Sequence, residues 1–203
     1  ADGIRVKPAT GVQTCALPIF LRVNAALQKR YNTKESFVSA FWNPSLYLNL
    51  GTIEKLKLDV SEVEAALRDA ILKVPGIALA VTRTDLLAGN IPSDPIMDKL
   101  QAAFHPTRSG NVLIVQKQGW YLYPNVNLFA AMHGSPYSYD TYAPVMFAGP
   151  GTTPQIADPL IAPTEIASTL TQYLGRKPPS ASTCTAPPED PHGTQHRKRI
   201  SPP

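Results

Sequence analysis

An α/β fold is predicted by three observations on this 203-residue chain. Residues 60–73 carry an unbroken helical stripe and lead straight into the apolar run Ile77-Ala78-Leu79-Ala80-Val81. A second helix start at Asp94-Pro95 leads, past Phe104, to the run Val112-Leu113-Ile114-Val115. A last helical pattern at 164–174 follows the strand-like stretch Val145-Met146-Phe147-Ala148. Helices interleaved with short apolar strands pack as layers on a sheet, which separates this pattern from an all-helical bundle or a sandwich.

Taken in order, residues 21–30 set Leu21, Val23 and Leu27 among basic residues, which permits a helix. Residues 36–42 alternate well enough for a strand. Leu46-Tyr47-Leu48-Asn49-Leu50 follows the Asn43-Pro44 turn, so a hairpin is expected. The helix at 60–73 is the best defined, because Val63, Ala66, Leu67, Ala70 and Ile71 fall on one face. Ser61 and Glu64 fit a capping box at its start, and Pro75-Gly76 ends it. Residues 77–81 then read as a buried strand. Asp94 and Pro95 open the next helix, with Ile96, Met97, Leu100 and Phe104 on one face. Residues 112–115 form a strand whose expected partner is 120–123, across a Gln118-Gly119 turn. No internal repeat is visible.

Composition narrows the function classes. With 19 basic and 15 acidic residues the formal charge is only +4, too weak a surplus to point to nucleic-acid binding by the folded part. Cys15 and Cys184, the two cysteines, make neither a disulfide framework nor a zinc cluster. No apolar run approaches the ~18 residues of a membrane span. The stretch from Cys15 to Leu21 is too short and wrongly flanked for a signal peptide.

The sharpest chemical signal is the run His133-Gly134-Ser135-Pro136-Tyr137-Ser138-Tyr139-Asp140, followed by Ala143-Pro144 and the turn Gly149-Pro150-Gly151. A histidine beside a glycine turn can present a neutral ring nitrogen, which is a good zinc ligand. A lone histidine in a polar loop is ordinarily just hydrogen-bonded, so its flanking residues decide the reading. The whole run resembles the C-terminal signature of the alkaline phosphatase superfamily. The likeness is to the bacterial phosphate-irrepressible alkaline phosphatases and their type I phosphodiesterase and nucleotide pyrophosphatase relatives. Three further stretches resemble that family in the same order. They are Val74-Pro75-Gly76-Ile77-Ala78 continuing into Thr82-Arg83-Thr84-Asp85-Leu86-Leu87, then Phe104-His105-Pro106-Thr107-Arg108-Ser109-Gly110-Asn111-Val112, then Pro163-Thr164-Glu165-Ile166-Ala167-Ser168-Thr169-Leu170. Asn111 stands where an aspartate is common.

The resemblance implies a partial alkaline-phosphatase-like sheet-and-helix fold with an α+β cap-like insertion, incomplete at its N-terminal side. It implies that His133 is the last histidine ligand of a two-zinc site in a hydrolase of phosphate esters, monoesters before diesters. The intact family is periplasmic or secreted. No nucleophile motif, Asp-His-Gly run or Asp-x-x-x-His pair precedes His133 here, so no catalytic residue is assigned and at most one partial zinc ligand set is expected. The chain is therefore expected to be inactive alone. A non-catalytic folded remnant, or a small interaction protein with a basic tail, is the alternative.

Both ends read as foreign to the fold. Residues 10–19 resemble translated adapter sequence, which makes 1–19 an expected non-native leader and 20–182 the phosphatase-like part. Seven of the 21 prolines follow Lys177, and the segment 183–203 carries Arg197-Lys198-Arg199 near its end, so a disordered tail is expected. Among the other candidates, Asp140 suits loop capping better than metal binding, and His105 before Pro106 suits a structural role. His192 in the tail has nothing apolar around it, and Ser135 has no base to activate it. Trp120, Tyr121 and Tyr123 suit strand packing better than a substrate cleft.

Overall fold

The computed structural model describes residues 16–122, 133–149, 154, 156, 160–180 and 182. Tyr123, both cysteines, His192 and the basic trio at 197–199 lie outside the described residues. The chain divides into two units, Ala1–Val145 and Met146–Pro203.

The first unit opens with α1 (Ala16–Arg30), whose Ile19, Val23 and Leu27 are buried one turn apart. The boundary expected after residue 19 thus falls inside this helix. Asn24 ties the helix to the sheet: its Oδ1 accepts the amides of Phe37 (2.8 Å) and Val38 (3.2 Å). The expected hairpin forms from β1 (Val38–Trp42) and β2 (Ser45–Leu48), antiparallel, with Trp42 opposite Ser45 and a cis Asn43-Pro44 bond between them. Two short helices without a readable stripe follow on either side of the long one: α2 (Leu50–Lys55) and, later, α4 (Arg83–Ala88). Each is started by a side-chain cap, Asn49 and Thr82 respectively.

Helix α3 (Val60–Ile71) buries Val63, Ala66, Leu67 and Ile71 as its stripe requires, but the capping box expected at Ser61 and Glu64 does not form. Asp59 is the N-cap and accepts the Glu62 amide at 3.1 Å. Glu64, drawn inward with the apolar face, is instead an interior carboxylate, 1% exposed. Its Oε2 accepts from the amide (3.0 Å) and hydroxyl (2.7 Å) of Thr84, and its Oε1 from Asn111 Nδ2 (2.9 Å). Three donors make burial of that charge tolerable.

Strands β3 (Ile77–Thr82) and β4 (Val112–Gln116) complete a four-stranded sheet of order β1-β2-β4-β3, antiparallel throughout. β4 is central and every one of its residues is buried, which is why it reads as an uninterrupted apolar run. Its Val112 and Ile114 face a core shared with α1 and α3; Leu113 and Val115 face a second core formed by Leu86 of α4 and Met97 and Leu100 of α5 (Pro95–Ala103). Each such fully buried aliphatic side chain contributes about 1.5–3 kcal/mol. Gly110, just before β4, comes so near β2 that a Cβ there would lie 2.5 Å from the Leu46 carbonyl oxygen.

Two expectations are corrected. β4 does not pair with 120–122, the described part of the expected partner, because β2 and β3 already occupy both its edges; the chain turns at 117–120 and Trp120 packs on Gly76. The stretch Val145-Met146-Phe147-Ala148 is not a strand: it has no ladder partner among the described residues, and Val145, Met146 and Phe147 are exposed. In the second unit a 3₁₀ turn, Pro163–Glu165, runs into the closing helix Ile166–Tyr173, with Glu165 accepting the Ala162 amide at 2.5 Å.

Candidate metal-ligand loop

His133 is exposed at the head of a loop whose short helix, Ser138–Thr141, is half a turn past the serine-proline step. The loop is closed on itself by Asp140, whose Oδ2 accepts the Ser135 amide at 2.5 Å. Partial burial works to raise the Asp140 pKa, but the amide bonds from Ser135 and Gly134 and the nearby His133 outweigh it and hold the carboxyl below its ordinary range. Gly134 takes φ +107°, a conformation open to glycine, and a Cβ there would lie 3.1 Å from Asn43 Nδ2 at the hairpin tip.

The loop is pinned to the sheet by side chains far apart in sequence. Lys99 on α5 donates from Nζ to the Pro136 carbonyl (2.7 Å) and to Thr141 Oγ1 (3.1 Å), and stands 5.7 Å from the Tyr142 ring centroid. Tyr137 donates to the Gln116 carbonyl at the end of β4 (2.8 Å) and joins the second core. Burial, together with the neighbouring Tyr139, pushes its phenol pKa up. Tyr139 stacks on Tyr137 with centroids 5.8 Å apart, and its oxygen accepts the Gly119 amide at 3.2 Å.

The remaining candidates fall elsewhere. His105 sits in a turn, its Nδ1 accepting the Thr107 amide at 3.2 Å, while its own amide donates to Ser109 Oγ at 2.9 Å. Ser135 is buried and Tyr121 is packed in the interior. The contacts made by Lys99, Tyr137 and Asn43 carry no local sequence signal, because their partners lie far along the chain: the Lys99 bonds span 37 and 42 positions.

Among the described residues no three His, Cys, Asp or Glu side chains stand close enough to hold a metal ion. A structural zinc shell takes four donors and a catalytic one at least three. His133 and Asp140 together supply two, and Asp140 is already engaged. The described residues by themselves therefore do not fit a zinc ion. Nor, among them, is any helix long and apolar enough to cross a membrane.

The fold is that of part of an alkaline phosphatase. The crystal structure of wild-type alkaline phosphatase PafA superposes with a TM-score of 0.72 at 21% identity, covering 86% of this chain and 33% of that one. No protein-family model matches the chain. Alkaline phosphatase PhoV of Synechococcus elongatus is 28% identical over 142 residues, 69% of this chain and 25% of PhoV. A protein of Myroides odoratus named calcium-transporting ATPase is 26% identical over 152 residues, 75% of this chain and 27% of its own length. PafA of Elizabethkingia meningoseptica is 22% identical over 160 residues, covering 79% of this chain and 29% of PafA. The chain is similar to these alkaline phosphatases over 69–79% of its own length and spans between a quarter and a third of the length of the curated relatives.

Proposed function

We propose that this chain is the part of a zinc-dependent phosphoester hydrolase that contributes one histidine ligand, His133, and that it is catalytically silent on its own. The observation that carries this reading is the loop itself. An exposed histidine stands beside a positive-φ glycine on a loop that Asp140 closes and that Lys99 and Tyr137 tie to a sheet whose fold is shared with an alkaline phosphatase. Such anchoring presets a ligand's direction, as metal sites need. Phosphate monoesters are the first choice of substrate for the whole enzyme and diesters the second, with an exported location. The described residues offer Ser135 as their hydroxyl nearest the histidine in sequence, but it is buried and lies beside a carboxylate already committed to the loop amides.

The test compares the 203-residue chain with its His133→Ala variant in hydrolysis of an aryl phosphate, with and without added zinc. Equal rates are expected. Zinc-dependent turnover that the variant loses would overturn the claim of silence.

A further inference from the structure

Away from the His133 loop, helices α1 and α3 flank an open surface groove of about 560 Å³ that no part of the phosphatase reading uses. Its walls carry four cations, Arg22, Lys29 and Arg30 from α1 and Lys73 from just beyond α3, against one acid, Asp69. Asp69 does not neutralise them. Its Oδ1 is held by Arg68, at 3.1 Å from Nε and 3.0 Å from Nη2, and Arg68 is not part of the cleft. None of the four wall cations forms an ion pair among the described residues; Arg30 lies 5.8 Å from the centroid of the Tyr31 ring. The negative end of the α1 dipole accounts for Lys29 and Arg30 in its last turn. It does not account for Arg22, two turns earlier on the same wall.

The floor differs from the rim. Ala26, Ala66 and Ala70 leave the space open, and Leu27 and Val74 make its base apolar. An inorganic anion would pair with the rim and leave that floor wet; an uncharged apolar molecule would leave four cations unpaired. A volume in the range of small-molecule sites, with an apolar base and a rim of predominantly positive charge, suits a ligand combining both features. We propose that this cleft binds a soluble organic phosphate, with an apolar or aromatic body on the alanine floor and a phosphoryl group carrying two or more negative charges against Arg22 and Lys73. The inference does not depend on His133 or on metal.

Adenosine diphosphate serves as the probe, titrated calorimetrically into the 203-residue chain at low salt, beside adenosine, inorganic phosphate and anionic phospholipid vesicles. Adenosine diphosphate is expected to bind at least about tenfold more tightly than adenosine or phosphate, and to weaken as salt screens the rim. The double variant Arg22→Ser/Lys73→Ser is expected to lose about tenfold or more. Lys34→Ser/Lys57→Ser, which removes the same charge outside the cleft, is expected to stay within about twofold. Ala70→Leu, which fills the floor and keeps every charge, is expected to weaken the diphosphate more than inorganic phosphate. Equal affinity for phosphate and the diphosphate, equal loss in the control variant, stronger binding to vesicles, or no binding at millimolar diphosphate would each overturn the proposal. The ligand series on the parent chain decides the matter even where a variant fails to fold.

Discussion

Replacing Asn111 by aspartate probes the interior of the α+β unit most sharply. Asn111 is a hub: its Oδ1 accepts the Leu48 amide at 3.0 Å, its Nδ2 donates to Glu64 at 2.9 Å, and its carbonyl accepts the Arg83 amide at 2.8 Å. An aspartate keeps the first contact and turns the second from a donor into a carboxylate facing a carboxylate. Losing a hydrogen bond to a charged group costs about 1.5–3 kcal/mol. Two like charges about 4 Å apart add up to about 4 kcal/mol at an effective dielectric of 20. Uptake of one shared proton limits the total, so a loss of about 4 kcal/mol is expected near pH 7, read from urea unfolding. The native variant then holds one proton more than its unfolded chain, so its stability falls with rising pH. The deficit relative to the parent should shrink by about 1.4 kcal/mol per unit as pH is lowered toward the carboxylate range. Glu64→Gln in the same molecule restores a donor and should recover most of the loss. A single variant within about 1 kcal/mol of the parent and insensitive to pH, or a double variant no better than the single, would refute this reasoning.

Gly76 has φ +90°, and a Cβ there would lie 2.3 Å from Trp120 Cε3, so Gly76→Ala should cost about 2–4 kcal/mol in thermal or urea unfolding, part strain and part displaced ring. The Asp140 carboxyl is held below its ordinary value of 3.8. Its stabilisation of the loop is thus complete above that value and lost as pH falls through the lower folded value, so amide protection at Ser135 should vanish in that acid window before the sheet opens. Protection of Ser135 that persists down to global acid unfolding would contradict the capping role.

What could be read from the sequence was local. The α3 stripe, the Asp94-Pro95 start and the central-strand run at 112–115 each follow from residues within one turn or one strand. The interior position of Glu64 was not readable, since a glutamate three residues after a serine looks the same whether it caps or turns inward. Its partners Thr84 and Asn111 lie 20 and 47 positions away. The partners of β4 are hidden for the same reason: sequence proximity favours 120–123, while the sheet pairs it with β2 and β3. Helices α2 and α4, six residues each, are too short to show a period and owe their starts to Asn49 and Thr82. The histidine itself was visible through its flanking motif, yet the Lys99 and Tyr137 contacts that hold its loop emerge only once α5 and β4 are placed side by side.

The central claim is that His133 is a ligand the rest of a phosphatase must complete. The direct measurement substitutes this chain for the 142 residues of PhoV that align with it and follows zinc-dependent aryl phosphate hydrolysis by the hybrid, with its His133→Ala and His105→Ala forms compared at matched melting behaviour. The account predicts activity in the hybrid, little change with His105→Ala, and a loss of at least about a hundredfold with His133→Ala, together with bound zinc. A hybrid that keeps its rate and its zinc without the His133 imidazole would contradict it.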